Sequence, residues 1–143
     1  MALIFEGMNC ALCGRVLDIR GPIFSSFAFD HPLSDAALHW ACFFAMKDHD
    51  AFLTRMYQLE VESMQKNKFW RVIAADAESL VATNDLKVRI TIRASAITRD
   101  FALSDWPSGL RTMIAEDKSF LPDEVAKKTN ETLASLQRQY QCG

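Results

Sequence analysis

Two short stretches, MNCALCGR (residues 8–15) and LHWACFF (residues 38–44), decide how this chain folds. Cys10 and Cys13 form a Cys-x2-Cys pair, followed at once by Gly14, which can take the positive φ that a turn around an ion requires. His39 and Cys42 stand three residues apart, and on a helix that spacing puts both on one face. The full pattern is Cys-x2-Cys-x25-His-x2-Cys, a Cys3His set whose thiolate and imidazole donors suit tetrahedral zinc. All four positions are filled by protein, so the expected zinc is structural. Two plainer readings of the same residues stand beside this one: a redox-active Cys-x-x-Cys, and a core cysteine in an apolar helix with a surface histidine. The redox motif asks for a helix directly after it, whereas Gly14 and Arg15 lead into the β-type residues Val16 and Leu17.

The segment between the pairs reads as a hairpin and a helix start. Val16, Leu17 and Ile19, then Ile23, Phe24, Phe27 and Phe29, flank the turn dipeptide Gly21-Pro22 and predict two short strands. Ser34 and Asp35 are N-cap types, and they predict that a helix begins at Ala36-Ala37-Leu38. Knuckle, hairpin and helix in this order resemble the treble-clef zinc fingers over residues 9–47, with ligand spacing similar to a slightly long first half of a LIM domain. The resemblance implies a module built around one zinc ion. A second likeness is to HNH endonucleases, carried by Asp30-His31, with Pro32 after them, and by Lys47. It implies that Asp30 is a catalytic-metal ligand and His31 the general base. The chain departs from that family in having only seven residues between His31 and His39, and in placing Phe43 where a terminal His or Asn belongs. The plainer reading of Asp30-His31-Pro32 is a turn leaving the hairpin.

Composition narrows the function classes. The 143 residues are 50% hydrophobic and 24% charged, which excludes a disordered tail, a fibrous repeat and a cysteine-dense secreted miniprotein. Sixteen basic residues against eighteen acidic ones leave a net charge of -2, a poor match for a polyanion, so nucleic acid is not the expected partner. The N-terminus has no basic region before an apolar run, and the longest apolar stretch, Trp40 to Met46, is far too short to span a bilayer. The expectation is a soluble cytoplasmic protein with no membrane partner. In such a reducing compartment paired cysteines hold metal more readily than they form disulfides.

Beyond the second ligand pair, helical spacing predicts a helix from Asp50 to about Lys66. The character then changes to strands: Phe69 to Ile73, Leu80 to Ala82, and a strict alternation in which Leu86, Val88, Ile90, Ile92, Ala94 and Ala96 face a core. Lys87, Arg89, Thr91, Arg93 and Ser95 face water in that reading. Linkers this short predict an antiparallel meander of three or four strands. Ser104 is read as the N-cap of a short helix running to about Ala115 and weakened by Gly109. Val125, Thr129, Leu133, Leu136 and Tyr140 mark a final helix. Cys142 has no partner at ligand spacing. The expected fold is α+β, a single compact domain over residues 1–143 with a zinc sub-module at 1–48 and a helix-plus-sheet sub-module at 49–143.

Lys87, Arg89 and Arg93 are the candidate binding residues. Their strand face is read as a solvated surface, as a patch for an acidic protein, or as a nucleic-acid surface. No Ser-His-Asp set, phosphate loop or paired-carboxylate motif is present in the sequence. The functional expectation is therefore a non-enzymatic, zinc-stabilised protein that binds another protein, compositionally similar to bacterial accessory or immunity-type proteins. The alternatives are an HNH-like metal-dependent nuclease using Asp30 and His31, and a nucleic-acid-binding adaptor.

Overall fold

Six strands and four helices follow one another in a computed structural model that describes residues 3–26 and 31–141. The N-terminal part carries β1 (Phe24–Ser25), β2 (Ala37–Leu38), α1 (Trp40–Phe44) and α2 (His49–Lys66). Then come β3 (Arg71–Ala75), β4 (Ser79–Thr83), β5 (Lys87–Ile92) and β6 (Thr98–Ala102). A 3₁₀ turn at Leu103–Asp105 precedes α3 (Gly109–Ala115) and α4 (Asp123–Tyr140). β1 and β2 form one antiparallel pair, and β3 to β6 form an antiparallel meander in chain order.

The meander follows from local turn chemistry. Asn67 Oδ1 accepts from the amides of Phe69 and Trp70, Asp76 Oδ1 from Glu78 and Ser79, and Asn84 Oδ1 from Leu86 and Lys87. Each short side chain thus folds the chain back at the entrance to β3, β4 or β5. Asp85, beside Asn84, takes φ 70°, a conformation that Asp tolerates better than most residues.

Helices cover both faces of the sheet. Val81, Val88, Ile90 and Ile92 share a core with Leu110 and Met113 of α3 and Leu133 and Leu136 of α4. On the opposite face Leu80 and Ala82 pack against Tyr57 and Met64 of α2. Burying one such Leu or Ile contributes about 1.5–3 kcal/mol, so this central layer supplies much of the folding free energy. The expected stripe on α4 is present, with Thr129, Leu133 and Leu136 buried.

Several readings from sequence are corrected by the structure. The strand expected to run from Leu86 to Ala96 ends at Ile92, and Arg93 to Ser95 form a turn completed by Ala96 at φ 57°. Its second face is not uniformly wet: Thr91 is buried, and its hydroxyl donates to Glu60 of α2 at 2.9 Å, because that helix lies across the face. The expected hairpin around Gly21-Pro22 does not pair with itself. Val16 bridges back to Asn9, while Phe24 and Ser25 pair with Leu38 and Ala37.

Ala36 to Leu38 do not open a helix. The buried Ser26 hydroxyl donates to Leu33 O and accepts from Ala36 N at 2.8 Å, which pins the segment in register as β2, and the helix starts only at Trp40. Finally, the helix expected to begin at Ser104 is divided into a 3₁₀ turn, a cis Trp106-Pro107 bond and then α3. Gly109 opens α3 instead of weakening it. A Cβ there would lie 2.5 Å from the ring of Phe101, so glycine is what lets α3 approach β6. Phe27, Phe29, Asp30 and Cys142 lie outside the described residues.

Candidate metal centre

The first ligand pair sits on a turn closed by its own backbone. Cys10 N donates to Arg15 O at 2.8 Å, Gly14 N donates to Cys10 O at 2.9 Å, and Gly14 takes φ 75°, as its position after the pair required. The Asn9–Val16 bridge fixes the base of this knuckle, and Leu17 N bonds Met8 O at 2.8 Å beneath it. Ala11 N donates to Ala37 O at 3.1 Å, which moors the knuckle to β2 immediately before the second ligand pair.

The second pair straddles the start of α1. His39 is the N-cap residue in an extended conformation (φ -64°, ψ 138°), and its carbonyl accepts from Phe43 N at 3.1 Å. Cys42 follows in the first turn. Trp40 and Phe43 point the other way, into the core, where the rings of Phe43 and Phe24 stack with centroids 4.0 Å apart. Helix direction is therefore set by aromatic burial, and the ligands occupy the face left over.

One donor atom from each of Cys10, Cys13, His39 and Cys42 lies within 4.8 Å of every other, and no further His, Cys, Asp or Glu joins them among the described residues. His39 presents Nδ1, 3.3 Å from Cys13 Sγ and 3.8 Å from Cys42 Sγ. These four residues can coordinate one metal ion. The donor set fits: three soft thiols and an imidazole converge from two separate elements, and none of the three described cysteines is in a disulfide.

The electrostatics of the cluster have the same cause. Cys13 is lowered to about 6, first by the backbone N–H of Arg15 and then by its guanidinium. Cys42 is pushed up to about 11, first by burial and then by its neighbours Cys13 and Cys10. Burial opposes ionisation of Cys10, but the backbone amides of Cys13, His39 and Leu12 outweigh it and lower its pKa. Thiolates so close together resist joint ionisation, and a cation between them removes that resistance.

The other candidate residues are not gathered into one site. Lys87 is exposed on β5. Arg89 makes a bidentate pair with Asp100, at 2.7 and 3.0 Å, and its guanidinium lies 4.3 Å from the centroid of the Trp70 ring. Arg93 reaches Asp50 at 3.0 Å, Thr54 at 3.2 Å and Glu78 at 3.5 Å. Both arginines are thus engaged within the fold. Their partners across β5–β6 and on α2 carried no local signal, although Asp100 stands directly opposite Arg89 in the strand register. His31 accepts at Nδ1 from Leu33 N at 3.0 Å, meets Phe52 edge-on, and holds Nε2 3.7 Å from Asp48.

No protein-family model matches the chain, and no curated protein or solved structure is significantly similar to it. No helix among the described residues is long and apolar enough to cross a membrane.

Proposed function

We propose that Cys10, Cys13, His39 and Cys42 hold one zinc ion in a structural role, and that the chain is a non-enzymatic accessory protein that binds another protein. The convergence of the four donor atoms within 4.8 Å carries the first half of this reading. Zinc is favoured by the donors themselves, since thiolate with imidazole in a closed four-ligand set suits a d¹⁰ ion without redox demand. The order of knuckle, short antiparallel pair and helix, with ligands at the knuckle and at the helix start, supports a treble-clef-like module.

Protein binding is supported by the outer side of that module. Leu3, Phe5, Leu12, Val16 and Ile19 are all exposed on the knuckle segment, a concentration of apolar side chains that water does not favour. Of the basic set, Lys87 is free to face a partner, while the pairing of Arg89 and Arg93 supports a role inside the fold. Metal analysis on protein purified without chelator tests the zinc reading: about one equivalent is expected, and its loss on Cys13→Ser. Paired capture experiments test the second half: a protein retained by the wild type and released by Leu12→Glu or Val16→Glu, with zinc content unchanged, is the expected result.

A further inference from the structure

A cleft of about 650 Å³ opens where α2 stops covering the sheet, bounded by the β1 segment, α2 and the β5–β6 hairpin. Its volume falls in the range of small-molecule sites. One wall is aromatic: Phe24, Trp40 and Phe120 form a continuous row with Phe24–Trp40 and Trp40–Phe120 centroids 5.2 Å apart, and Tyr57 lines the cleft as well. The floor is polar, with Glu60 accepting from the Thr91 hydroxyl at 2.9 Å and Thr91 in turn 3.1 Å from Thr98 Oγ1.

The charges lining this cleft are matched with one exception. Arg89 is held by Asp100, Arg93 by Asp50 and Glu78, and Arg99 by Glu116 at 3.0 Å. Glu60 has no cation within ion-pair distance among the described residues; it accepts from the neutral Thr91 hydroxyl, and Arg89 acts on it only from farther away. A carboxylate withdrawn from water without an ion-pair partner is costly to the fold: Arg89, already paired with Asp100, favours the charged form, but burial outweighs it and raises the pKa. A cleft lined by aromatic rings and by a carboxylate with no ion-pair partner combines the two elements that recognise an organic ammonium group: apolar and π surface for its body, and a charge-assisted hydrogen-bond acceptor for its head.

The geometry points to a ligand site in this cleft for a small organic monocation with an apolar body, anchored by Glu60. No residue of the Cys3His cluster lines this cleft, although Trp40 of its aromatic wall directly follows His39. Thr91 acts as a positioning residue that holds the Glu60 carboxylate toward the sheet. The three paired arginines exclude an anion from competing effectively, because each already has its carboxylate.

The full chain with its metal can be titrated with phenethylamine, which is cationic at neutral pH, alongside phenethyl alcohol and hydrocinnamate as neutral and anionic counterparts. Calorimetry and amide NMR should show saturable millimolar or tighter binding of the amine, with shifts at Thr91, Ile97 and Thr98. The alcohol and the acid should bind at least about tenfold more weakly. Glu60→Gln should lose the preference for the cation while keeping the fold, and Ile23→Trp, which fills the cleft from its rim, should block the amine with Glu60 intact. Absence of saturation, equal binding of hydrocinnamate, or unchanged affinity in both variants overturns the assignment.

Discussion

His39 Nδ1 lies 3.3 Å from Cys13 Sγ although 26 positions separate the two residues in the chain. An approach of this kind costs loop entropy that one imidazole–thiol contact does not offset, and a shared cation does. Cys13→Ser should therefore lower zinc content and destabilise the protein by at least about 3 kcal/mol in urea unfolding at saturating zinc, against roughly 10 kcal/mol for full structural zinc sites. Chelator should lower the wild-type midpoint and leave that of Cys13→Ser almost unmoved; equal shifts in both would count against a common metal.

Cys10→Ser should be worse than Cys13→Ser. Cys10 is only 2% exposed and belongs to the same core cluster as Phe24 and Phe43, whereas Cys13 is exposed. The serine hydroxyl would be buried as well as ligating poorly, which adds about 1–3 kcal/mol. The difference between the two variants should persist in excess chelator, where only the packing part remains.

Gly109→Ala should destabilise by about 1–3 kcal/mol, since the new methyl would drive the Phe101 ring away from α3. Phe101→Leu should recover part of that loss when combined with it. Additive effects in the double variant would show that the two side chains do not meet.

Glu60 sets a pH dependence. Its pKa is raised above the ordinary 4.5, mainly by burial, with Asp100 adding to the rise and the Thr91 hydroxyl and Arg89 opposing it. A carboxyl group with a raised folded-state pKa binds its proton more tightly when folded. Its stabilising contribution is complete below 4.5 and is lost as pH rises through the folded value. Glu60→Gln should thus be more stable than wild type at neutral pH, with the advantage shrinking toward acid. Denaturation midpoints between pH of about 4 and 8 test this, and an advantage that grows toward acid would reverse the sign.

The Cys3His cluster was legible because residues that could chelate one ion come in locally spaced pairs: two such residues within one turn leave a mark in the sequence wherever the partners fall. The last helix was legible for a similar reason, as Thr129, Leu133 and Leu136 repeat at helical intervals and face one core. Ala36 to Leu38 misled because Ala and Leu favour helices, and a single buried hydroxyl, that of Ser26, outweighs the preference. Thr91 was read as wet because period two reports that faces differ, and nothing local announces that α2 covers the second one. Glu60 gave no signal for the same reason: on its own helix it is an ordinary polar residue, and its isolation arises only from which charges the sheet has already paired.

The position of the ligands along the chain also sets an order of events during synthesis. All four lie at or before Cys42, yet Leu17, Phe24 and Phe43 enter a core that includes Leu133 and Leu136 of the final helix. A nascent chain emerging from the ribosome thus presents a complete chelating set long before most of its apolar partners exist. On the proposed zinc reading, capture of the ion precedes docking of the later segments and gives them an early fixed point.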